Sequence, residues 1–178
     1  LLAPAPPVIQ LGTIAVTPPP GAFLQATTDA EAALQQAVAG IVGGASRVTD
    51  LFAGCGTLGL PLLKSLSKLT AAESDTAALA AMKAAADVAG LGARLDCIDA
   101  DLMRAPLTAD LFGDVEAVII DPPRAGASAQ CEILATTAVP AIAMVSCNPA
   151  SFARDAASLV AGGYRLTSLQ IIDQFRFS

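Results

Sequence analysis

The chain has 178 residues, of which 54% are hydrophobic, and its 10 basic and 16 acidic side chains give a formal net charge of −6. It contains no histidine, which excludes histidine-based triads, histidine general bases and most catalytic zinc sites. No apolar run approaches the roughly 20 residues that span a bilayer, and residues 1–7 lack the basic residues of a secretory signal. We therefore predict one cytoplasmic, monomeric domain that does not enter a membrane.

Residues 1–20 are rich in proline. They predict either the tail of a preceding region or an edge hairpin, with weak strands between Val8 and Val16. Residues 21–178 form the predicted domain. Its first helix should begin at Thr28-Asp29-Ala30-Glu31, a capping-box pattern, and end near Ile41 before two glycines.

From Arg47 onward, strand patterns and helix patterns alternate. The predicted strands are Val48–Phe52, Lys68–Glu73, Arg94–Ile98, Ala117–Ile120, Ala141–Ser146 and Tyr164–Ile172. The predicted helices run from the glycine turn after Phe52 to about Leu66, from Asp75 to Ala89, from Ser128 to Thr137 and from Ala150 to Ala161, and a loop follows from Asp173. Alternation at this spacing predicts an α/β fold with a doubly wound, mostly parallel sheet.

Three of these strands end in distinctive segments. They are Asp50-Leu51-Phe52-Ala53-Gly54-Cys55-Gly56, Asp121-Pro122-Pro123-Arg124 and Ser146-Cys147-Asn148-Pro149. Open parallel sheets bind ligands at the carboxyl ends of their strands, so the three segments predict one shared site. Glycines let the backbone approach a ligand, and the two prolines hold Asp121 in a rigid extended segment.

Acidic residues at two further strand ends fit a nucleoside-like ligand. Glu73 lies about 20 residues after the glycine turn, where an acid can accept both hydroxyls of a ribose. Asp101 follows the next strand and is placed to meet an adenine. Asp99 competes for that place, and the spacing does not separate the two.

The four cysteines form no CxxC pair, and we interpret Cys55, Cys97 and Cys131 as small buried or incidental thiols. Cys147 differs, because it stands between a strand end and a helix N-terminus, whose dipole favours a thiolate. Its position alone leaves it open between a nucleophile and a structural thiol.

Together with Phe23-Leu24-Gln25 and the string from Val145 to Asp155, these segments resemble the S-adenosylmethionine-dependent RNA uridine-5-methyltransferases. The resemblance covers about residues 21–178, and it departs from the family at Thr27 and Thr57, where asparagine is usual. It implies a Rossmann-like class I methyltransferase fold whose final strand is missing here. It also implies methyl transfer from S-adenosyl-L-methionine to C5 of a uridine in RNA, with ribosomal RNA favoured over transfer RNA.

By this resemblance, Cys147 is the nucleophile that adds to C6 of the uracil. The residues that would line the cofactor pocket are Gln25, Phe52, Thr57, Glu73, Asp101 and Asp121. Arg124 and Arg154 are candidates for contacts with phosphate or with O4. The family's glutamate base would follow Ser178, so we expect this C-terminally truncated domain to bind the cofactor but to turn over poorly. A chain this acidic binds RNA phosphates weakly, and an N-terminal RNA-binding domain would supply that affinity.

Alternative interpretations belong to other classes of protein. The chain could be a cofactor-binding but inactive module, or a cytosine-5 RNA methyltransferase. An amino-directed methyltransferase would carry an aromatic residue where Arg124 stands and would not need Cys147. A dehydrogenase is disfavoured, because the third glycine of Gly54-Cys55-Gly56-Thr57-Leu58-Gly59 comes one position early for the dinucleotide fingerprint.

Overall fold

The structure is a computed structural model that describes residues 6–173. Its central feature is a parallel sheet of five strands in the order β5-β4-β3-β6-β7. The strands are β3 (Arg47–Leu51), β4 (Lys68–Glu73), β5 (Leu95–Asp99), β6 (Ala117–Ile120) and β7 (Ala141–Met144). The helices are α1 (Thr28–Val42), α2 (Thr76–Val88), α3 (Ser128–Leu134) and α4 (Pro149–Ala161). The predicted α/β fold with a doubly wound parallel sheet is confirmed.

The path of the chain through the sheet reverses once. The chain enters at the central strand β3, winds outward through β4 and β5, and returns to β6 on the other side of β3 before it reaches β7. The reversal therefore lies between β3 and β6. A reversal of this kind opens a crevice at the carboxyl ends of the two strands, where open α/β sheets bind ligands.

Apolar side chains bury both faces of the sheet. One face carries Ala71 and Ile119 and packs against apolar residues of α1 and α2. The other carries Ala72 and Ile120 and packs against apolar residues of α3 and α4. All four residues are fully buried, and each buried isoleucine contributes about 1.5–3 kcal/mol to stability.

An antiparallel hairpin of β1 (Ile9–Leu11) and β2 (Ile14–Val16) forms a sheet of its own. Its inward side chains Leu11, Ile14 and Val16 are buried in the same core as the apolar face of α2. The hairpin therefore packs onto the domain and is not an edge of the main sheet.

The helices differ from the predicted ones mainly at their ends. Thr27, rather than Thr28, caps α1, because the Thr27 hydroxyl accepts a hydrogen bond from the Ala30 backbone N–H at 3.2 Å. α3 ends at Leu134, before the predicted end at Thr137. Within residues 6–173, no helix is long and apolar enough to cross a membrane.

The helix predicted after the glycine turn is wrong. This segment forms turns and one short 3-10 helix, Leu60–Leu62. Gly56, with a φ of 90°, belongs to the turn predicted before this helix. Beyond it the backbone closes i→i+3 bonds, from the Leu63 N–H to the Leu60 carbonyl and from the Ser65 N–H to the Leu62 carbonyl, and this tighter winding is used only in short pieces.

The strand predicted over Tyr164–Ile172 is also wrong. Residues 164–172 form no strand, and β7 is the edge of the sheet in the part of the chain that the structure describes. Leu166, Leu169 and Ile171 are exposed. Alternating apolar residues predict a strand, but a strand also needs a neighbour with which to form a ladder. The predicted loop from Asp173 lies, after that residue, outside the described residues.

Candidate active site

One groove opens at the carboxyl ends of the central strands. The turn after β3, the ends of β4 and β5, the loops after β6 and β7 and part of α1 form its walls at these strand ends. The groove continues along β7 and α4 to residues 162–173. The structure places all seven predicted site residues along this groove: Gln25, Phe52, Thr57, Glu73, Asp101, Asp121 and Cys147. Their individual roles remain predictions.

The turn after β3 has a backbone that only special residues accept. Phe52 has a φ of 62°, and Gly54 and Gly56 have φ values of 53° and 90°. A left-handed phenylalanine is strained, and such strain concentrates at functional sites. A side chain at Gly56 would overlap Leu60 and Met82 of the core. Gly54 lines the groove, and among residues 6–173 no atom beyond its chain neighbours lies within 4 Å of the place a Cβ there would take. The backbone is therefore open to a ligand at Gly54.

Glu73, at the end of β4, is fixed in place by four donors. One carboxylate oxygen accepts a hydrogen bond from the Gly54 N–H at 3.0 Å. The other accepts from the Ser74 N–H at 2.7 Å, from the Ser74 hydroxyl at 3.0 Å and from the Asp75 N–H at 2.9 Å. Glu73 thus presents an oriented acceptor to the groove, as recognition of a ribose would need.

The structure separates Asp101 from Asp99. Asp101 lines the groove, and its carboxylate accepts a hydrogen bond from the Met103 N–H at 3.1 Å. Asp99, paired in register with Glu73 at the end of β5, is exposed and does not line the groove. Asp101 is therefore the better candidate for contact with the adenine.

Gln130 on α3, which was not among the predicted site residues, supports the segment that follows Asp101. Its side-chain amide accepts from the Leu107 N–H at 2.8 Å and donates to the Leu107 carbonyl at 3.1 Å. Gln130 is 1% exposed. The signal in the sequence was a glutamine at an apolar position of the predicted helix. A polar side chain that is buried there needs hydrogen-bond partners.

Gln25 and Thr57 form the wall next to α1. Gln35 of α1 donates a hydrogen bond to the Thr57 carbonyl at 3.0 Å and another to Glu31 at 3.2 Å. The backbone of Thr57 is thereby tied to α1. Gln25 precedes the cap of α1 and is half-buried along the groove.

Asp121 continues β6 into the groove. Its N–H donates to the Leu51 carbonyl at 3.3 Å, so the backbone is still bound to the neighbouring strand β3. Burial raises the pKa of Asp121 to about 6. Its carboxyl group therefore keeps its proton to a higher pH than an exposed aspartate does, unless a cation or a donor comes to it.

Cys147 lies just past β7, and its side chain is exposed. The Val145 N–H donates to the Ile120 carbonyl at 2.9 Å, which holds the preceding residues to β6. Asn148 caps α4 by accepting from the Ala150 N–H at 3.1 Å. The thiol consequently sits at the start of a 13-residue helix, open to the groove.

A polar clamp, formed by Arg154 and Asp155, holds the loop after β6 against α4. Asp155 is 1% exposed and accepts from the Ala127 N–H at 2.6 Å. Arg154 is ion-paired with Asp155 at 2.7 Å and donates to the Ala125 carbonyl at 2.8 Å. Gly126, with a φ of 82°, leaves no room for a side chain beneath these groups. Arg154 is thus engaged in the clamp and does not line the groove, whereas Arg124 does. Contacts of either residue with phosphate or O4 stay predictions.

Asp50 is the largest omission of the sequence analysis. It lies within β3, is 1% exposed, and one of its carboxyl oxygens is buried without a hydrogen-bond partner. Burial above all, then the negative charges of Asp121 and Glu73, raise the pKa of Asp50 to about 8, while the Gly59 N–H acts in the opposite direction. An acid inside a strand pattern was visible in the sequence, but its neighbours depend on the register of the sheet.

Comparison with curated proteins finds relatives along the whole chain. An uncharacterized RNA methyltransferase of Mesorhizobium japonicum is 43% identical over 178 residues, which are 100% of this chain and 43% of that protein. The 23S rRNA (uracil(1939)-C(5))-methyltransferase of Chromohalobacter salexigens is 40% identical over 159 residues, which are 88% of this chain and 32% of that protein. The chain thus spans about two fifths or less of the length of these relatives. No protein-family model matches the chain.

Among solved structures, the tRNA (uracil-54, C5)-methyltransferase of Pyrococcus abyssi, in complex with S-adenosyl-L-homocysteine, matches with a TM-score of 0.75 and 25% identity. The match covers 90% of this chain and 38% of that one. TrmN from Thermus thermophilus shares the fold at a TM-score of 0.51 and 24% identity, over 68% of this chain and 40% of that one.

Proposed function

We propose that this chain, a homologue of the RNA methyltransferases over its whole length, methylates C5 of a uridine in RNA with S-adenosylmethionine as the methyl donor. One observation carries the proposal. An exposed cysteine, Cys147, opens at the end of β7 into the same groove as Glu73 and Asp101. The groove thus combines a nucleophile with acceptors suited to a nucleoside.

The residues of the groove fit the cofactor. Glu73 is oriented by four donors toward the groove, as a partner for the ribose hydroxyls. The left-handed turn at Phe52 and Gly54 brings backbone close to a ligand, and Asp101 offers an acceptor beside the adenine. Asp121 and the unpartnered carboxyl oxygen of Asp50 are acidic groups that can lose their protons to stabilise a cationic ligand. When bound, S-adenosylmethionine supplies an electrophilic methyl group on a sulfonium.

Cys147 is the residue that makes the uracil reactive. Carbon C5 of a uracil is a weak nucleophile. Addition of the Cys147 thiolate to C6 forms a carbon–sulfur bond and moves the ring electrons toward C5 and O4, so that C5 can accept a methyl group. Loss of the C5 proton to a base then allows the carbon–sulfur bond to break, and the thiolate returns.

The position of Cys147 is held by contacts that do not involve a ligand. Asn148 caps α4 and also donates its side-chain amide to the Arg124 carbonyl at 3.0 Å. The clamp of Arg154 and Asp155 adds a second connection, between the loop after β6 and α4. A thiol that attacks a ring carbon needs this kind of fixed placement, since proximity and orientation supply much of the catalytic gain.

The substrate base has to leave its stack to reach the groove, so an unpaired loop or a flipped nucleotide is the expected form of the RNA. We favour ribosomal RNA, because the curated relative named for a ribosomal uracil is 40% identical and the solved transfer RNA enzyme is 25% identical. With a net charge of −6, the chain needs a basic surface outside this domain for strong RNA binding, and we propose an RNA-binding region in the whole protein.

Trapping with fluorinated RNA tests this function. The chain is incubated with S-adenosylmethionine and excess RNA that contains either 5-fluorouridine or 5-fluorocytidine. Fluorine at C5 cannot leave as a proton, so the covalent complex should persist with 5-fluorouridine and be visible as a band of raised mass. A complex only with 5-fluorocytidine would identify a cytosine-5 enzyme, and none with either RNA would overturn the proposal.

A further inference from the structure

Three carboxyl groups share one face of the sheet at the floor of the groove. The register pairs Asp50 with Ala71 of β4 and with Ile119 of β6. Side chains alternate along a strand, so residues two positions further on lie on the same face. Those residues are Glu73 and Asp121. Asp50 therefore lies between Glu73 on one neighbouring strand and Asp121 on the other. It is two residues further from the carboxyl ends of the strands than they are.

The surroundings of Asp50 make an ionised carboxylate unfavourable. It is 1% exposed, it lines the inner wall of the groove, and one of its oxygens has no hydrogen-bond partner. Gly59 leaves the space beside that oxygen, because a side chain there would collide with it. An unpaired buried charge costs several kcal/mol, and a carboxyl group in this position takes up a proton instead.

The groups that surround Asp50 are mostly acids. Burial, together with Asp75 and Glu73, also raises the pKa of the Cys55 thiol in the turn. The exposed Lys83 of α2 is ion-paired with Asp87. Two basic residues start the strands: Arg47 of β3 is ion-paired with Asp114, and Lys68 of β4 with Asp96. The other ionisable groups on the elements packed around Asp50 are Asp121 after β6, Glu73 on β4, Asp75 at the cap of α2, Lys64 in the turn, and Asp29 and Glu31 on α1.

The proposed function would place the charge of the cofactor over these acids. Its ribose would lie at Glu73, at the end of β4, and its methyl group would be directed to the base held by Cys147, at the end of β7. The strand order β4-β3-β6-β7 means that the cofactor crosses the ends of β3 and β6 on the way. Those are the strand ends of Asp50 and Asp121.

We propose that Asp50 and Asp121, beside Glu73, together hold one proton while the groove has no cation, and release it to solvent when the sulfonium and ammonium of S-adenosylmethionine bind. The chain then binds the charged methyl donor more tightly than the demethylated product, by a factor that grows with pH. This inference rests on the proposed function, because it needs that cofactor in that orientation.

Proton release is measured by titration calorimetry at pH 7 in buffers with different ionisation enthalpies. S-adenosylmethionine should release close to one proton per site, S-adenosylhomocysteine fewer, and 5′-methylthioadenosine, which has neither ammonium nor sulfonium, the fewest. Between pH 6 and pH 8 the dissociation constant for S-adenosylmethionine should fall by up to about tenfold for each pH unit, and it should level off above pH 8.

Two variants make the test specific. Asp50→Asn should abolish most of the proton release and leave a dissociation constant near the value of the native chain at low pH. Asp96→Asn makes the same chemical change at an acid on β5 that is exposed and ion-paired with Lys68, and it should leave proton release as in the native chain. Should Asp50→Asn not fold, the comparison of the three ligands on the native chain still decides the question.

The outcomes separate the two proposals. Tight binding of S-adenosylmethionine with no proton release, or with the same release for 5′-methylthioadenosine, would overturn this inference and leave the proposed function standing. No binding of S-adenosylmethionine at any pH would overturn both.

Discussion

Asn148 donates its side-chain amide to the backbone carbonyl of Arg124 at 3.0 Å, and in doing so joins the loop that carries Cys147 to the loop that carries Asp121. The same side chain caps α4 through its oxygen. One residue thus fixes the start of the helix behind the proposed nucleophile and the distance between two walls of the groove. The first prediction separates these two tasks.

Asn148→Asp keeps an oxygen that can cap α4 but removes the amide that binds Arg124. We expect the melting temperature to change little, because caps of Asp and Asn are similar in strength. Formation of the complex with 5-fluorouridine RNA should slow by about tenfold, because one contact that orients the loop of Cys147 is lost. Asn148→Ala removes both interactions and should also cost about 1 kcal/mol of stability. Equal adduct rates in the native and Asn148→Asp chains would contradict the proposed link.

The second prediction concerns Glu73. Glu73→Gln replaces an acceptor by an amide whose NH2 group faces backbone donors, so both the orientation and the charge are lost. Hydrogen bonds to charged groups are worth about 1.5–3 kcal/mol, so binding of S-adenosylhomocysteine should weaken by at least about tenfold. Titration calorimetry measures this directly. An unchanged affinity would remove Glu73 from the cofactor site.

The third prediction uses a matched pair. Asp101→Asn should weaken binding of S-adenosylhomocysteine, because Asp101 lines the groove. Asp99→Asn, the same change two residues earlier and outside the groove, should not. The reverse order of effects would mean that the wrong aspartate faces the adenine.

The fourth prediction follows from the buried acid Asp50. The folded state raises its pKa from 3.8 to about 8, so this group stabilises the fold fully below pH 3.8 and loses that contribution as the pH rises toward 8. Asp50→Asn has no proton to lose. Its melting temperature relative to the native chain should therefore increase from pH 5 to pH 9, by roughly 2–4 °C for each kcal/mol recovered. A constant difference across this range would contradict the raised pKa.

The fifth prediction tests the clamp at α4. Gly126→Ala forces a side chain into a left-handed position and against Arg154, Asp155 and Ser151, so we expect a loss of at least about 3 kcal/mol in denaturant unfolding. Gly163→Ala is the control, since Gly163 also has a positive φ of 103° but open space around it. Gly163→Ala should lower the free energy of unfolding only by the cost of placing an alanine in the left-handed region, about 1–2 kcal/mol. Equal losses would show that the space under the clamp is not tight.

The fold and most of the groove were predictable because they depend on local patterns. Ala117–Ile120 reads as a buried strand, and the segments after β3, β6 and β7 stand out in sequence. The resemblance to RNA methyltransferases is confirmed by relatives about 40% identical.

What the sequence could not predict depends on the partner of each strand. The three carboxyls meet only because β3 pairs with β4 and β6 in this register. Asp99 and Asp101 both follow a strand, and only the course of the loop separates them. Residues 164–172 alternate like a strand but have no ladder in the described chain.

The most direct measurement of the central claim is mass spectrometry of the covalent complex formed with 5-fluorouridine RNA and S-adenosylmethionine. The native chain should yield one modified peptide, with the nucleotide on Cys147. Cys147→Ala should yield none while it still binds the cofactor, and Cys97→Ala, which removes an exposed thiol outside the groove, should form the complex as the native chain does. A complex that survives Cys147→Ala, or a nucleotide attached to another residue, would contradict the assignment of Cys147 as the nucleophile.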